Sequence, residues 1–225
     1  MLRAAAASPT EDSRNGPRVR PPEERQSGAA LVASAERSAI DCLSTMRNAP
    51  RIVGTTVLSA RRGKNVVVGA DGQVTLDRSV VKAAAHKVRR LGNGSVIAGF
   101  AGGAADAFAL LTRFQDKLSE HGGRLERAAV ELVREWRTDR ALRRLEAMLI
   151  VADAERTLLL SGTGDLIEPD DGVLAIGSGG VAAMAAARAL IRHTELDLRT
   201  LVEQSLLVAA SIDVFTNDRL IIEEI

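Results

Sequence analysis

The residues that suggest chemistry begin with a threonine that directly follows a glycine. The pair Gly54-Thr55 stands where beta-branched and alternating residues first appear, so Thr55 is predicted to begin a strand. If the chain is cut after Gly54, the freed α-amine lies on the same residue as the hydroxyl. Such an amine titrates much nearer to neutral pH than a lysine amine, so it can accept the hydroxyl proton. A Gly-Thr pair is also common at an ordinary strand start, and both interpretations stay open.

Two charged residues further along the chain favour the catalytic interpretation. Asp71 ends the second predicted strand, and Lys87 lies in a basic segment. A buried lysine ammonium held by an aspartate would keep a nearby amine neutral and lower the pKa of a nearby hydroxyl. The alternative is that Asp71 lies in a surface turn and Lys87 in a solvated basic patch.

Two glycine-containing motifs could supply further parts of a site. Gly99 lies in a short apolar strand, where it lets a main-chain N–H approach an oxyanion or lets the strand bend into the next helix. Ser178 lies in the motif at residues 177–180, where it either donates a hydrogen bond in the site or caps a helix. The same motif also suggests a phosphate-binding loop, but it lacks the Walker lysine.

Composition argues against several other classes of chemistry. The single cysteine, Cys42, precedes the predicted folded region, so no disulfide, thiolate nucleophile or cysteine metal site is expected there. Three histidines are too few and too scattered for a histidine metal cage. A formal net charge of +1 carries no signature of nucleic-acid binding, and no apolar run is long enough to predict a membrane span.

The first 54 residues differ from the rest of the chain. They contain five of the six prolines and no aromatic residue, so they cannot bury enough apolar area to fold. We therefore predict a disordered leader or propeptide over residues 1–54 and one folded domain over 55–225. Alternatively, translation starts at Met46. Acidic residues in the leader argue against a mitochondrial presequence, so the cytoplasm is the predicted compartment and the mitochondrial matrix is less favoured.

Hydrophobic periodicity predicts the elements that must position these residues. Strands are expected at 55–60, 66–68, 95–101, 147–152, 157–160 and 173–176, with a final hairpin of 214–216 and 220–222. Helices are expected at about 107–120, 125–136, 181–193 and from 197 onwards. This order is not the strict alternation of a parallel sheet. It predicts an α+β fold with two stacked sheets between helices, which is a four-layer αββα sandwich.

Seven short motifs resemble, in the same order, the HslV family of proteasome-related peptidase subunits. They are Thr-Thr at 55–56, Gly-Ala-Asp-Gly-Gln at 69–73, Lys-Val-Arg-Arg at 87–90, Val-Ile-Ala-Gly-Phe-Ala-Gly-Gly at 96–103, Trp-Arg-Thr-Asp-Arg at 136–140, Ala-Ile-Gly-Ser-Gly-Gly at 175–180 and Ile-Glu-Glu at 222–224. The resemblance extends over residues 55–225. It implies the N-terminal nucleophile hydrolase fold, an αββα sandwich.

The resemblance also implies a role for each candidate residue. Thr55 matches the N-terminal nucleophile of a threonine endopeptidase, with its own amine as the base. Asp71 and Lys87 match a supporting charged pair. Gly99 matches the donor of the oxyanion-hole N–H, and Ser178 matches a serine near the nucleophile.

A sodium ion and a large assembly are further implications of the resemblance. The ion is expected on main-chain oxygens of Ala210, Asp213 and Thr216; the first two differ from the glycine and cysteine common there. Carbonyl ligation puts little demand on side-chain identity. The implied assembly is a homododecamer of two stacked six-membered rings that degrades unfolded proteins. A hexameric HslU-type AAA+ unfoldase caps and allosterically activates it, and that partner, not this chain, binds ATP.

The long leader is the departure from the family pattern. Relatives carry few or no residues before the threonine, whereas 54 precede it here. The precursor is expected to be inactive, because an amide nitrogen is not a base, and cleavage in such hydrolases can be autocatalytic. A non-catalytic structural ring subunit that keeps its leader is the alternative function.

Overall fold

The computed structural model of the protein describes residues 52–140, 142, 145 and 147–225. Most of the predicted leader, including the alternative start at Met46, therefore lies outside the described residues. Its last residues are the exception, because Ile52–Val53 forms a strand. The prediction that the leader lacks structure up to residue 54 is wrong for this pair.

The described residues form twelve strands and four α-helices. The strands are β1 (Ile52–Val53), β2 (Thr56–Arg62), β3 (Asn65–Asp71), β4 (Val74–Leu76), β5 (Ser79–Lys82), β6 (Val88–Leu91), β7 (Val96–Gly102), β8 (Ala147–Ala152), β9 (Thr157–Ser161), β10 (Leu166–Ile167), β11 (Val173–Gly177) and β12 (Leu220–Glu224). The helices are α1 (Ala104–Glu120), α2 (Leu125–Thr138), α3 (Gly180–His193) and α4 (Leu198–Ile212).

Antiparallel pairing arranges the strands in three sheets. One has the order β11-β2-β3-β12, the second β10-β9-β8-β7-β6, and the small third β1-β4-β5. The predicted final hairpin is wrong, because β12 pairs with β3, from Leu220 opposite Asp71 to Glu224 opposite Val67. Residues 214–216 instead belong to a turn in which the N–H of Thr216 donates to the carbonyl of Asp213. The run at 220–224 can hydrogen-bond along the whole free edge of β3, whereas the three-residue segment 214–216 could not offer it an edge of that length.

Two larger sheets pack face to face and bury a layer of aliphatic side chains between them. Val57 and Val68 contribute from the four-stranded sheet, and Ile97 and Ile150 contribute from the five-stranded sheet. The other faces of both sheets are covered by helices, so their strands are buried on both sides and read as continuous apolar runs.

The helices form the two outer layers. α1 and α2 cover the five-stranded sheet through residues that include Phe114, Leu132 and Trp136. α3 and α4 cover the four-stranded sheet through residues that include Leu201 and Leu206. The predicted four-layer αββα sandwich is therefore confirmed. In the part of the chain that the structure describes, no helix is both long enough and apolar enough to cross a membrane.

Strand pairing brings distant parts of the sequence to one end of this sandwich. β2 and β3 are antiparallel, so the start of β2 lies beside the end of β3, with Val57 opposite Ala70. β11 is antiparallel to β2, with Gly177 opposite Thr56. The residues that precede β2, end β3 and follow β11 therefore meet at the same end of the four-stranded sheet.

Candidate active site

Thr55 lies directly before β2 and is buried, with 6% of its surface exposed. Its Oγ1 donates a hydrogen bond to the carbonyl oxygen of Gly54 at 2.6 Å. The leader reaches this point through β1, in which Val53 pairs with Thr75 of β4. The hydroxyl of Thr55 and the Gly54–Thr55 peptide bond are thus held against each other.

The carboxylate of Asp71 is fully buried and organises the start of β2. Its Oδ1 accepts the N–H of Thr56 at 2.8 Å and the Nζ of Lys87 at 2.9 Å. Its Oδ2 accepts the N–H of Gln73 at 2.8 Å. A buried carboxylate needs such partners, and here the partners fix the residue that follows Thr55.

Lys87 is also buried, with 2% of its surface exposed. Its Nζ donates to Asp71 and, at 3.0 Å, to the carbonyl oxygen of Gly54. Burial lowers the pKa of Lys87 from its usual value, while the charge and hydrogen bond of Asp71 oppose that change. The predicted buried lysine held by an aspartate is present, and the alternative of two solvated surface residues is wrong.

The structure does not bring Gly99 to the site, contrary to the expectation for an oxyanion donor. Gly99 lies inside β7, opposite Val88 on one side and Ile150 on the other. The N–H of the next residue, Phe100, donates to the carbonyl of Lys87 on the β6 side. Because successive residues of a strand direct their N–H groups to opposite neighbours, the N–H of Gly99 points to β8.

Packing explains why a glycine stands at position 99. An added Cβ would lie 2.6 Å from Cγ1 of Val57 and 3.4 Å from Cγ1 of Val68. The missing side chain therefore lets the two sheets approach each other. Neither interpretation of Gly99 in the sequence included this contact.

A cavity of about 490 Å³ opens beside Thr55. Lys87, Phe100, Gly102 and Phe108 are among the residues that line it. Gly102 is three residues beyond Gly99, so its N–H points to the opposite side, which is the side of β6. At Gly102, β7 has already passed the end of β6, which begins at Val88. Of the glycines of β7, Gly102 is the one that lines the cavity.

Ser178 lies beside the threonine pair, as predicted. Its N–H donates to the carbonyl of Thr55 at 3.0 Å, and its Oγ donates to Oδ2 of Asp213 at 2.6 Å. The capping alternative is wrong, because Gly179 is the N-cap of α3 and the helix has no side-chain cap.

The glycines around Ser178 allow close contacts within the chain. A Cβ on Gly177 would lie 1.7 Å from the carbonyl oxygen of Thr55. The N–H of Gly179 donates to Oγ1 of Thr56 at 3.0 Å. Since the chain itself occupies the N–H groups of Ser178 and Gly179, this loop does not offer them to a phosphate.

The loop after α4 contains the three positions expected to hold sodium. Ala210 lies in the last turn of α4, where carbonyls lack intrahelical donors and the helix dipole is negative. The turn from Asp213 to Thr216 keeps the other two carbonyls in the same loop. Carbonyl oxygens at a helix C-terminus suit a hard cation, so these residues fit the ion. Within the described residues, no group of three or more His, Cys, Asp or Glu side chains could hold a metal ion. Sodium stays a prediction.

Several side-chain contacts of the site were not predicted from the sequence, which singled out Thr216 only for its main-chain oxygen. The hydroxyls of Thr56 and Thr216 lie 2.6 Å apart, and both residues are buried. Gln73 donates its side-chain amide to the carbonyl of Val214 at 2.9 Å. The only sequence signal was their position, because each lies within a few residues of a predicted site residue.

Comparison with known proteins agrees with this arrangement. The proteasome subunit family matches residues 53–225. The crystal structure of eukaryotic HslV from Trypanosoma brucei superposes with a TM-score of 0.72 at 50% sequence identity. The match covers 75% of this chain and 98% of that chain. The chain therefore belongs to the proteasome subunit family, as a member of its HslV type.

Proposed function

We propose that this chain is the peptidase subunit of an HslUV-type protease and that Thr55 is its nucleophile once the Gly54–Thr55 bond is cut. The observation that carries the proposal is the convergence of a buried ion pair on this bond. Lys87 donates to the Gly54 carbonyl while Asp71 holds both Lys87 and the N–H of Thr56. Proteasome and HslV subunits are generally threonine peptidases.

In the proposed reaction, Oγ of Thr55 attacks a peptide carbonyl and the free α-amine of Thr55 accepts its proton. A nearby ammonium on Lys87 favours the neutral form of that amine and the ionised form of the hydroxyl. The peptide C–N bond then breaks, the leaving amine takes the proton, and an ester remains on Thr55. Water hydrolyses the ester and restores the hydroxyl. We assign the oxyanion donor to the N–H of Gly102, since Gly102 lines the cavity.

We propose the same chemistry for removal of the leader. Oγ1 of Thr55 attacks the carbonyl carbon of Gly54, the C–N bond breaks, and the hydroxyl proton moves to the Thr55 nitrogen. Hydrolysis of the resulting ester releases the leader with a carboxylate on Gly54. Support comes from the Gly54 carbonyl oxygen, which accepts hydrogen bonds from Thr55 at 2.6 Å and from Lys87 at 3.0 Å. Both bonds polarise the carbonyl that would be attacked.

The assembly belongs to the same proposal. We propose that the chain forms two stacked hexameric rings and that an HslU-type ATPase delivers unfolded proteins and activates the peptidase. A sodium ion on the carbonyls of Ala210, Asp213 and Thr216 would supply no reactive group. It would stiffen the loop that carries Asp213, next to Ser178.

A substitution of the nucleophile tests this function. Each variant is made as a fusion that is cleaved directly before Thr55, so that self-processing is not required. Thr55→Ala is expected to abolish hydrolysis of a fluorogenic peptide while the thermal midpoint stays unchanged. Thr112→Ala, which removes an exposed hydroxyl of α1, is the matched control and is expected to keep full activity. Normal turnover by Thr55→Ala would rule out the proposed nucleophile.

A structural ring subunit that keeps its leader is the second candidate. The observation that favours it is β1, which pairs with β4 and holds the uncut leader beside the cavity. N-terminal sequencing of the assembled ring distinguishes the two functions. A retained leader together with the absence of hydrolysis would support the structural role.

A further inference from the structure

The leader strand β1 binds a sheet edge independently of the bond that joins it to Thr55. Val53 pairs with Thr75 of β4 in an antiparallel arrangement. β4 pairs on its other side with β5, so β1 takes the remaining edge of β4. Main-chain groups that precede Gly54 make this pairing, and cleavage after Gly54 removes none of them. The end of the leader can therefore keep these contacts as a separate peptide.

Gly54 occupies a position that suits only a residue without a side chain. Its φ of +108° is a left-handed value that favours glycine. An added Cβ would lie 3.0 Å from the carbonyl oxygen of Phe215 and 3.3 Å from Oγ1 of Thr75. That hydroxyl is held in place, because the side-chain amide of Gln73 donates to it at 3.0 Å. A peptide that ends in another residue cannot take this position unless the chain around it shifts.

Cleavage would place a new negative charge beside the ion pair. Hydrolysis leaves a carboxylate on Gly54, and the oxygen of this residue already lies 3.0 Å from Nζ of Lys87. The ammonium has three protons, so it can donate to Asp71 and to the new carboxylate together. Since hydrogen bonds between charged groups are stronger than bonds to a neutral carbonyl, the contact is expected to strengthen on cleavage.

We propose that the cut leader is a selective product inhibitor of the subunit. Its last residues stay on the edge of β4, with the Gly54 carboxylate against Lys87, and they occupy the cavity that Gly54 and Thr55 both line. The bound carboxylate also favours the protonated form of the Thr55 amine, which is not a base. The inference rests on the proposed function, because it requires cleavage after Gly54.

The requirement for glycine makes this inhibition specific to the leader. Product peptides that end in a residue with a side chain do not fit between Phe215 and Thr75, so they are expected to leave more readily. The leader itself dissociates on dilution, because it is no longer bonded to Thr55. In dilute protein, activity therefore follows the amount of cleaved chain.

Inhibition of the mature subunit by a synthetic peptide tests the proposal. The subunit is made as a fusion cleaved directly before Thr55, and the probe is a peptide of residues 46–54 with a free carboxylate. The peptide is expected to raise KM for a fluorogenic substrate without a change in kcat. A C-terminal amide of the same peptide should inhibit about 10-fold more weakly, because it loses the charged hydrogen bond. A peptide with alanine in place of Gly54 should also inhibit more weakly than the parent.

Binding to an inactive variant tests the contact with the lysine. In mature Thr55→Ala, titration followed by NMR should show that the acid peptide binds about 10-fold more tightly than the amide. Lys87→Met in the same background is expected to make the two dissociation constants equal. Lys64→Met, which removes an exposed lysine from the turn between β2 and β3, is the matched control and should keep the difference. If Lys87→Met does not fold, the comparison of the two peptides in Thr55→Ala decides.

The failure of this inference differs from the failure of the proposed function. No inhibition by millimolar acid peptide, or equal inhibition by the acid and the amide, would overturn product inhibition. Hydrolysis by Thr55→Ala would instead overturn the proposed function.

Discussion

At the scale of single residues, hydrogen bonds from the site converge on one carbonyl group. The Gly54 oxygen accepts from the hydroxyl of Thr55 and from the ammonium of Lys87. Asp71 stands behind both groups, since it binds Lys87 and the N–H of Thr56 with the same oxygen. The charged pair therefore contributes to positioning as well as to electrostatics.

Substitution of the buried carboxylate should damage both stability and chemistry. Asp71→Asn leaves the ammonium of Lys87 buried without its counter-charge, so the free energy of unfolding is expected to fall by about 3–5 kcal/mol. The value of kcat/KM should fall about 100-fold or more in the folded fraction, because the lysine no longer holds its position. Urea denaturation and peptide hydrolysis measure the two effects.

The control for this change is Asp116→Asn, which removes an exposed carboxylate from α1. It is expected to leave both quantities within experimental error. If Asp71→Asn unfolded at the same urea concentration as the control, the ion pair would have no part in holding this end of the sandwich.

At the scale of elements, the residues of the candidate site could be predicted from the sequence better than the register of the strands could. Thr55, Asp71 and Ser178 were found because each stands at the end of a strand whose apolar pattern is clear. Gly99 was assigned the wrong role, because the direction of an N–H depends on which neighbour the strand pairs with at that position. The side chain of Asp213 was missed, since its partner Ser178 lies 35 residues earlier in the chain.

Close approach of the two sheets at Gly99 leads to a prediction at this scale. Gly99→Ala places a methyl group 2.6 Å from Cγ1 of Val57, and such overpacking is expected to cost about 1–3 kcal/mol of unfolding free energy. Gly103→Ala is the matched control, because its nearest neighbour, Oδ2 of Asp106, would lie 3.6 Å away. Thermal and urea denaturation of both variants compare the two sites.

The same pair of variants separates packing from catalysis. In Gly99→Ala, kcat per folded molecule should change much less than stability does, since the N–H of Gly99 faces β8. A selective loss of kcat at unchanged stability would restore Gly99 as the oxyanion donor and exclude Gly102.

At the scale of the whole molecule, the fold places the proposed nucleophile, Thr55, at the end of a four-layer sandwich. The nitrogen of Thr55 is an amide in the uncut chain, so it cannot accept the hydroxyl proton. The leader strand Ile52–Val53 pairs with β4 and holds the uncut bond against the ion pair. In the proposed mechanism, these contacts place the carbonyl of Gly54 where a substrate carbonyl would lie.

The intact mass of the subunit in fully active protein tests the central claim most directly. The proposed mechanism predicts a single mass that corresponds to a chain beginning at Thr55, and activity that rises in step with that species. Full hydrolytic activity in material whose Gly54–Thr55 bond is still intact would contradict it, because no α-amine would then be present on Thr55.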